Sequence, residues 1–272
     1  MSSLERLLSI LDLYTEAEPI WTLEEITLKT GYARSTAYRY VKELCDSGLL
    51  ISIGRGAHVL GPRFIEFDRQ IRNCDPLLMA AQKIMPSLYK KLDDGLVSLC
   101  SLYGDKVLSI HQEPWATNLE FSFTRGRPMP LFYGATAKII LANLPERQLV
   151  KLFLNHRIEI AKAGLGEEWE DFKEALAEIR RNDFCITHSE IDPGLIGVGS
   201  AVFADDKKVI ASLTYITEDR GQMIEGWIPE LLVKCSAEIT EELASILVAY
   251  DEDLRRFSPV IPFKRLKAGG EK

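Results

Sequence analysis

The run from Thr22 to Leu60 leaves few folds open. Thr22-Leu-Glu-Glu25 is a capping box, in which the threonine hydroxyl and the Glu25 carboxylate each satisfy an exposed backbone N–H at a helix start. The helix it opens ends near Thr30, where Gly31 tolerates the positive φ of a stop. A second amphipathic helix follows from about Ala33 to Asp46, with Ala37, Val41 and Leu44 facing inward and Gly48 ending it. Leu49–Ile53 and Ala57–Leu60 then alternate around Gly54-Arg-Gly56, the pattern of a β-hairpin. Upstream, Leu4, Leu7, Leu8, Leu11 and Tyr14 recur at helical spacing and predict one buried stripe. Three helices followed by a hairpin predict a winged helix-turn-helix at 1–61.

The helix from Ala33 carries chemistry on its other side. Ser35, Tyr38, Arg39 and Lys42 fall at i, i+3, i+4 and i+7, one face opposite the apolar stripe. Arginine can bridge guanine O6 and N7, and hydroxyls can bind phosphates or bases. Many helices carry a merely solvated polar face, but here Arg55 and His58 flank the glycines of the hairpin, where a wing would touch the DNA backbone. The candidate DNA contacts are Arg34, Ser35, Thr36, Tyr38, Arg39, Lys42, Arg55 and His58.

The net charge of −7 at first argues against nucleic acid. Between Ile26 and Arg63, however, six basic residues stand against two acidic ones, so the acidic excess lies elsewhere. That distribution suits a modular DNA binder. Five scattered cysteines without C-x-x-C spacing fit a reducing cytoplasm and not a disulfide framework or a cysteine zinc site. No run of eighteen apolar residues occurs and the N-terminus is amphipathic, so no signal peptide or membrane partner is expected.

Pro62 to Arg72, with Phe64, Ile65, Phe67 and Ile71, reads as an amphipathic linker helix, and Asp75-Pro76 as the cap and first residue of the next. From residue 95 the pattern becomes mixed. Leu96–Tyr103 and Lys106–Gln112 alternate around Gly104-Asp105, and Leu119–Phe123 reads as a third strand. Gly134 to Asn143 is an apolar helix, a helix closing at Ala175–Arg181 precedes strand Cys185–Glu190, and Gly197–Phe203 pairs with Lys208–Ile216. Pro229 opens a long helix with Leu231, Leu232, Cys235, Ile239, Leu243, Ile246 and Leu247 on one face, and the tail after Asp251 is polar and expected to fray. A mainly antiparallel sheet flanked by helices follows. The whole chain is expected to be α+β: residues 1–61, a linker at 62–75, a second domain at 76–250 and a tail at 251–272.

Gly134-Ala135-Thr136 starts its helix after a proline-rich turn, where unpaired N–H groups and the helix dipole would favour an anion. The same small residues would equally serve close helix–sheet packing. His188-Ser-Glu190 has the H-x-E spacing of zinc deaminases without their P-C-x-x-C, and His111 and His156 lack partners at metal spacing. Lys138 reads as structural, and no P-loop, dinucleotide or nucleophile-elbow motif occurs. No catalytic residue, metal ligand or cofactor is therefore assigned. The alternative to a regulator is a metabolite-transforming enzyme with an accessory N-terminal domain, or an adaptor that binds no ligand.

The whole chain resembles the IclR family of transcriptional regulators. The resemblance rests on Ser3–Leu11, Gly31–Val41, Ser47-Gly-Leu-Leu50 and Leu60-Gly-Pro-Arg63, in order and spacing. It continues through Arg127-Pro-Met-Pro-Leu131, Ala135-Thr-Ala-Lys138, Leu141-Ala142, Ser189-Glu190 with Gly194, Ala201-Val-Phe203 and Ile210–Leu213. Ala137 departs from the family's usual Gly, Ala37 from a frequent Val and Tyr40 from a usual Leu. The resemblance implies a GAF-like antiparallel-sheet effector domain, double-stranded operator DNA as partner, and a homodimer or homotetramer. Helix 1 and the linker helix would pair the subunits. It implies a small-molecule effector, expected to be a carboxylate, in control of the catabolism of a small organic or aromatic acid. By the same resemblance Gly134, Ala135, Thr187, Leu195, Gly197, Thr214 and Ile216 line the effector cavity. Leu119 and Phe121 would be its apolar wall, or ordinary core.

Overall fold

The computed structural model describes residues 2–92, 94–104, 106–114, 120–204, 207–221, 224 and 226–257. The chain divides into two compact units, Met1–Asp75 and Pro76–Lys272.

The first unit opens with α1 (Ser3–Leu8) and a 3-10 turn at Leu11–Leu13. It continues with β1 (Trp21–Thr22), α2 (Leu23–Thr30) and α3 (Arg34–Asp46). The hairpin of β2 (Leu50–Gly54) and β3 (Ala57–Leu60) follows, then α4 (Arg63–Cys74). The capping box at Thr22 forms in both directions, and Gly31 ends α2 at φ +71°, a left-handed conformation that glycine adopts without strain. Ile10, Ile26, Ala37, Tyr40, Val41, Leu44 and Leu50 close the core between the helices and the hairpin.

The stripe expected along the first helix breaks. Leu4 and Leu8 are exposed, whereas Ile10 and Tyr14 are buried, because the chain leaves the α-helix after Leu8 and tightens into the 3-10 turn. The hairpin gains a third strand that periodicity could not show. Trp21 and Thr22 pair with His58 and Ala57, and the Trp21 indole N–H donates to the carbonyls of Leu13 and Glu18, each at 3.0 Å.

The second unit is three-layered. Its strands are β4 (Leu96–Tyr103), β5 (Lys106–Glu113), β6 (Pro128–Met129), β7 (Phe184–His188), β8 (Leu195–Phe203) and β9 (Val209–Glu218). They form one antiparallel sheet in the order β6-β5-β4-β9-β8-β7. Helices α5 (Pro76–Leu92) and α9 (Trp227–Phe257) cover one face, burying Leu78, Met85, Leu88, Leu232 and Ile239 against Val97, Leu99, Val198 and Leu213. Helix α6 (Gly134–Ala142) lies on the other face, backed by α7 (Glu146–Lys162) and α8 (Trp169–Asn182) around Phe153 and Phe172.

The sequence of β8 explains the asymmetry. Its alternate residues are Gly197, Gly199 and Ala201 on the α6 side and Ile196, Val198 and Val202 on the other. A methyl group on Gly199 would stand 3.0 Å from the Ala135 carbonyl oxygen, so the small face is what lets α6 settle and bury all nine of its residues.

Several boundaries differ from expectation. Residues 120–123 form no strand: the place beside β5 is taken by Pro128 and Met129, which pair with Leu108 and Val107. Residues 120–123 turn away, and Asp192 accepts the Ser122 N–H at 3.0 Å and also its hydroxyl. Strand β7 stops at His188, since Ser189 adopts φ +52°. Helix α9 starts two residues before Pro229 and runs past Asp251 to Phe257, so the expected frayed tail starts later; residues 258–272 lie outside the described residues.

Candidate functional site

The outward face of α3 is built by what holds its inner face. Tyr40, the departure noted above, is buried, with its hydroxyl 2.9 Å from Ser3 Oγ and its ring edge-on to Tyr32 at 6.2 Å. Ser9 Oγ meets the Tyr32 hydroxyl at 3.0 Å. Two serines of the first helical segment thus fix the start of α3 in rotation. The hydrogen bond from Ser3 holds the Tyr40 phenol below its usual range.

With that rotation set, Arg34, Ser35, Tyr38, Arg39 and Lys42 all face solvent, and Thr36 is half-buried beside them. Arg39 lies over the Tyr40 ring at 5.4 Å, which orients its guanidinium along the helix surface. Arg34 pairs with Glu24 at 2.8 Å, both largely exposed, a contact worth about 0–1 kcal/mol and readily exchanged for a phosphate. No side chain caps the start of α3, where Ala33 is the N-cap. Arg55 sits exposed at the tip of the hairpin at φ +53° between Gly54 and Gly56. His58 does not join it. It is half-buried inside β3, opposite Trp21 and Ser52, and its Nδ1 is buried with no partner among the described residues. Cross-strand pairing with Trp21 and Ser52 holds His58 within the sheet and off the hairpin tip.

In the second unit, a cavity of about 60 Å³ opens between the start of α6 and the sheet. Phe121, Gly134, Ala135, Thr187, Leu195, Gly197, Thr214 and Ile216 all line it, whereas Leu119 lies outside the described residues. Residues that sequence reasoning missed complete the wall: Ser98, Cys100, Phe123, Met129, Glu190, Ile191, Asp192 and Ile196. Strand parity could have found Ser98 and Cys100, which alternate with buried Val97 and Leu99 on β4. Nothing local could have found Glu190 or Asp192.

The polar groups of this cavity are already joined to one another. Thr136 Oγ1 donates to Thr214 Oγ1 at 3.1 Å, and Ser98 Oγ meets Ser109 Oγ at 3.0 Å. Unpaired N–H groups are expected from sequence at the start of α6, but those of Gly134 and Ala135 are paired. Gly134 N–H donates to Glu190 Oε2 at 2.9 Å, and Ala135 N–H to Thr187 Oγ1 at 3.0 Å. The other Glu190 oxygen accepts Lys138 Nζ at 2.7 Å. The chain supplies its own carboxylate to the helix dipole, and Lys138 is the buried partner of that carboxylate. Ile191 folds over Gly134, where a methyl group would meet its Cγ1 at 2.8 Å.

Burial pushes the thiols of Cys100 and Cys185 up to about 12, which keeps both neutral and poorly nucleophilic. Among the described residues no three His, Cys, Asp or Glu side chains gather as a metal site, and no helix is long and apolar enough to cross a membrane. His188 pairs with Asp219 at 3.2 Å, far from the role its H-x-E spacing suggested.

Comparison with known proteins agrees with this two-part build. Residues 3–51 match the IclR helix-turn-helix domain, and residues 72–240 match the C-terminal domain of the bacterial transcriptional regulator IclR. The HTH-type transcriptional regulator KipR of Bacillus subtilis is 22% identical over 238 residues, covering 85% of this chain and 94% of KipR. An IclR transcriptional regulator from Alicyclobacillus acidocaldarius superposes with a TM-score of 0.70 at 20% identity, over 89% of this chain and 97% of that one. An IclR homolog from Microbacterium hydrocarbonoxydans, complexed with 4-hydroxybenzoate, gives 0.69 at 20% identity, over 90% and 100%. The chain belongs to the IclR family of bacterial transcriptional regulators.

Proposed function

We propose that α3 enters the major groove of operator DNA and that a small organic molecule in the cavity beneath α6 changes the affinity of that contact. The carrying observation is the outward face of α3. Ser35, Tyr38, Arg39 and Lys42 project together from a helix whose rotation is fixed by Ser3 and Ser9. Arg39 and Lys42 address base edges and adjacent phosphates, and Arg55 addresses phosphate from the wing. The uncapped start of α3 offers its first N–H groups to a phosphate as well. A chain that reads operator DNA works in the cytoplasm, with the chromosome.

Two copies bind together. The exposed apolar side chains of α1 (Leu4, Leu8) and α4 (Phe64, Ile65, Phe67, Ile71) support pairing, since no residue of either helix is buried within the protomer. The effector is of single-ring size and apolar in body, by the wall of Phe121, Phe123, Met129 and Ile216 and by the 4-hydroxybenzoate bound in the Microbacterium homolog. The regulated genes serve the catabolism of such a compound. An effector acts only through a difference in its affinity for two arrangements of the protein.

The test uses DNA selected by the wild-type chain from a random library. Arg39→Ala weakens binding of that DNA by about 1–3 kcal/mol at physiological salt. Ala135→Leu fills the cavity and abolishes the response to the effector. An Arg39→Ala chain with wild-type affinity and sequence preference refutes the α3 assignment.

A further inference from the structure

We infer that the cavity selects an uncharged ligand, an aromatic or aliphatic body bearing a hydroxyl or amide donor, and turns away free carboxylates. This rests on the cavity being the effector site, and it reverses the ligand charge that the start of α6 suggested from sequence alone.

An anion entering the cavity would seek the first N–H groups of α6, and those of Gly134 and Ala135 are taken. Glu190 accepts from Gly134 and Thr187 accepts from Ala135, at 2.9 and 3.0 Å. The nearest cation is taken too, since Lys138 Nζ lies 2.7 Å from Glu190 Oε1. Among the described lining residues the only carboxylates are Glu190 and Asp192 and no side chain is basic, and the Cys100 thiol is held neutral by burial. Arg127 is not among the described residues that line the wall. Its Nη1 donates to the Ser122 carbonyl at 2.7 Å and its guanidinium lies over the Phe123 ring at 5.5 Å. Residues 115–119, outside the described set, carry no ionisable side chain. A ligand carboxylate would therefore shed its water to join two anions, with no cation and only hydroxyl or thiol donors among the described lining side chains.

The complement is a donor. Glu190 and Asp192 keep lone pairs beyond those already used, and the Thr214 and Ser98 hydroxyls line the opposite side. A cation gains little, because each carboxylate is already met by two donors, Gly134 N–H and Lys138 for Glu190, and the Ser122 N–H and hydroxyl for Asp192.

Calorimetry on the full chain at neutral pH tests this with matched probes: 4-hydroxybenzamide against 4-hydroxybenzoate, benzyl alcohol against benzoate, and benzylamine. The wild type is expected to bind the uncharged member of each pair at least about tenfold more tightly. Glu190→Gln keeps an acceptor for Gly134 N–H but removes the charge and releases Lys138, so it narrows or reverses that ratio. A wild type that prefers the carboxylate or the benzylammonium, or a Gln variant with an unchanged ratio, overturns the inference. Carboxylate preference that Ala135→Leu abolishes overturns the charge selectivity while the effector site stands. Binding by no probe, or binding that survives Ala135→Leu, overturns both.

Discussion

Replacing Glu190 by alanine removes two things at once, and their sizes can be separated. Its Oε2 caps Gly134 N–H, a contact worth about 1 kcal/mol at a helix start. Its Oε1 partners Lys138 Nζ, whose side chain is only 10% exposed. Breaking a buried pair by deleting one member costs about 3–5 kcal/mol, because the other charge is stranded. Glu190 is itself 28% exposed, so water can reach the gap it leaves, and we take the stranding at about half, or ~2 kcal/mol. Glu190→Ala should then lower the opening free energy of α6 by about 3 kcal/mol. Lys138→Met in the Glu190→Ala background removes the stranded ammonium and should restore about 2 kcal/mol, leaving only the lost cap. Native-state hydrogen exchange of the amides at 134–142 reads this locally, whatever the first unit does. Further destabilisation by Lys138→Met in that background, or wild-type exchange in Glu190→Ala, would show that the ion pair does not hold α6.

Two further predictions concern the first unit. Arg55 at the hairpin tip is expected to meet phosphate alone. Arg55→Ala should weaken binding to all DNA sequences alike and flatten the plot of log affinity against log salt by about one unit of slope, and a changed sequence preference at constant slope refutes it. Tyr14 is buried with no partner for its hydroxyl among the described residues, so Tyr14→Phe should stabilise the unit by about 1 kcal/mol in urea unfolding at neutral pH. Burial pushes the Tyr14 phenol up from 10.0 to about 12. Its contribution is therefore complete below pH 10 and lost as pH rises through 12, and the phenylalanine variant should lose less stability over that window. A less stable variant, or an unchanged alkaline limb, counts against this.

What could be read from the sequence and what could not divides by the range of the interaction. The Thr22 capping box is a contact between residues three apart, and Gly31 answers a conformational demand at a single residue, so both are legible where they stand. The outward set on α3 follows from one helical period. The small face of β8 follows from a period of two, although why it must be small appears only when α6 is placed on it. His58 was misplaced because its partner across the strand, Trp21, lies in a two-residue strand too short to show any period. The third strand was misplaced for a different reason. Residues 119–123 alternate well enough, but Pro128 and Met129 hold the edge of β5, and a pattern does not show which of two segments a sheet edge accepts.

The cavity shows the same division with a functional consequence. Each described residue expected in its wall is there, because wall membership follows from strand parity and from the position of α6. The pairing of the N–H groups of Gly134 and Ala135 could not be read, because it is set by contacts between distant segments. Glu190 reaches Gly134 across 56 residues, and Asp192 reaches Ser122 across 70. A helix start seen in sequence is an empty anion seat by default, since the segment that fills it need not be nearby. Here the filling segment is the turn at 189–194, which also folds Ile191 over Gly134 and ties the 120–125 turn through Asp192. One short turn thus shapes the apolar wall and sets the charge around the cavity. Substitution at Glu190 or Asp192 would change the polarity of the cavity without altering the pattern of apolar and small residues from which the fold was legible.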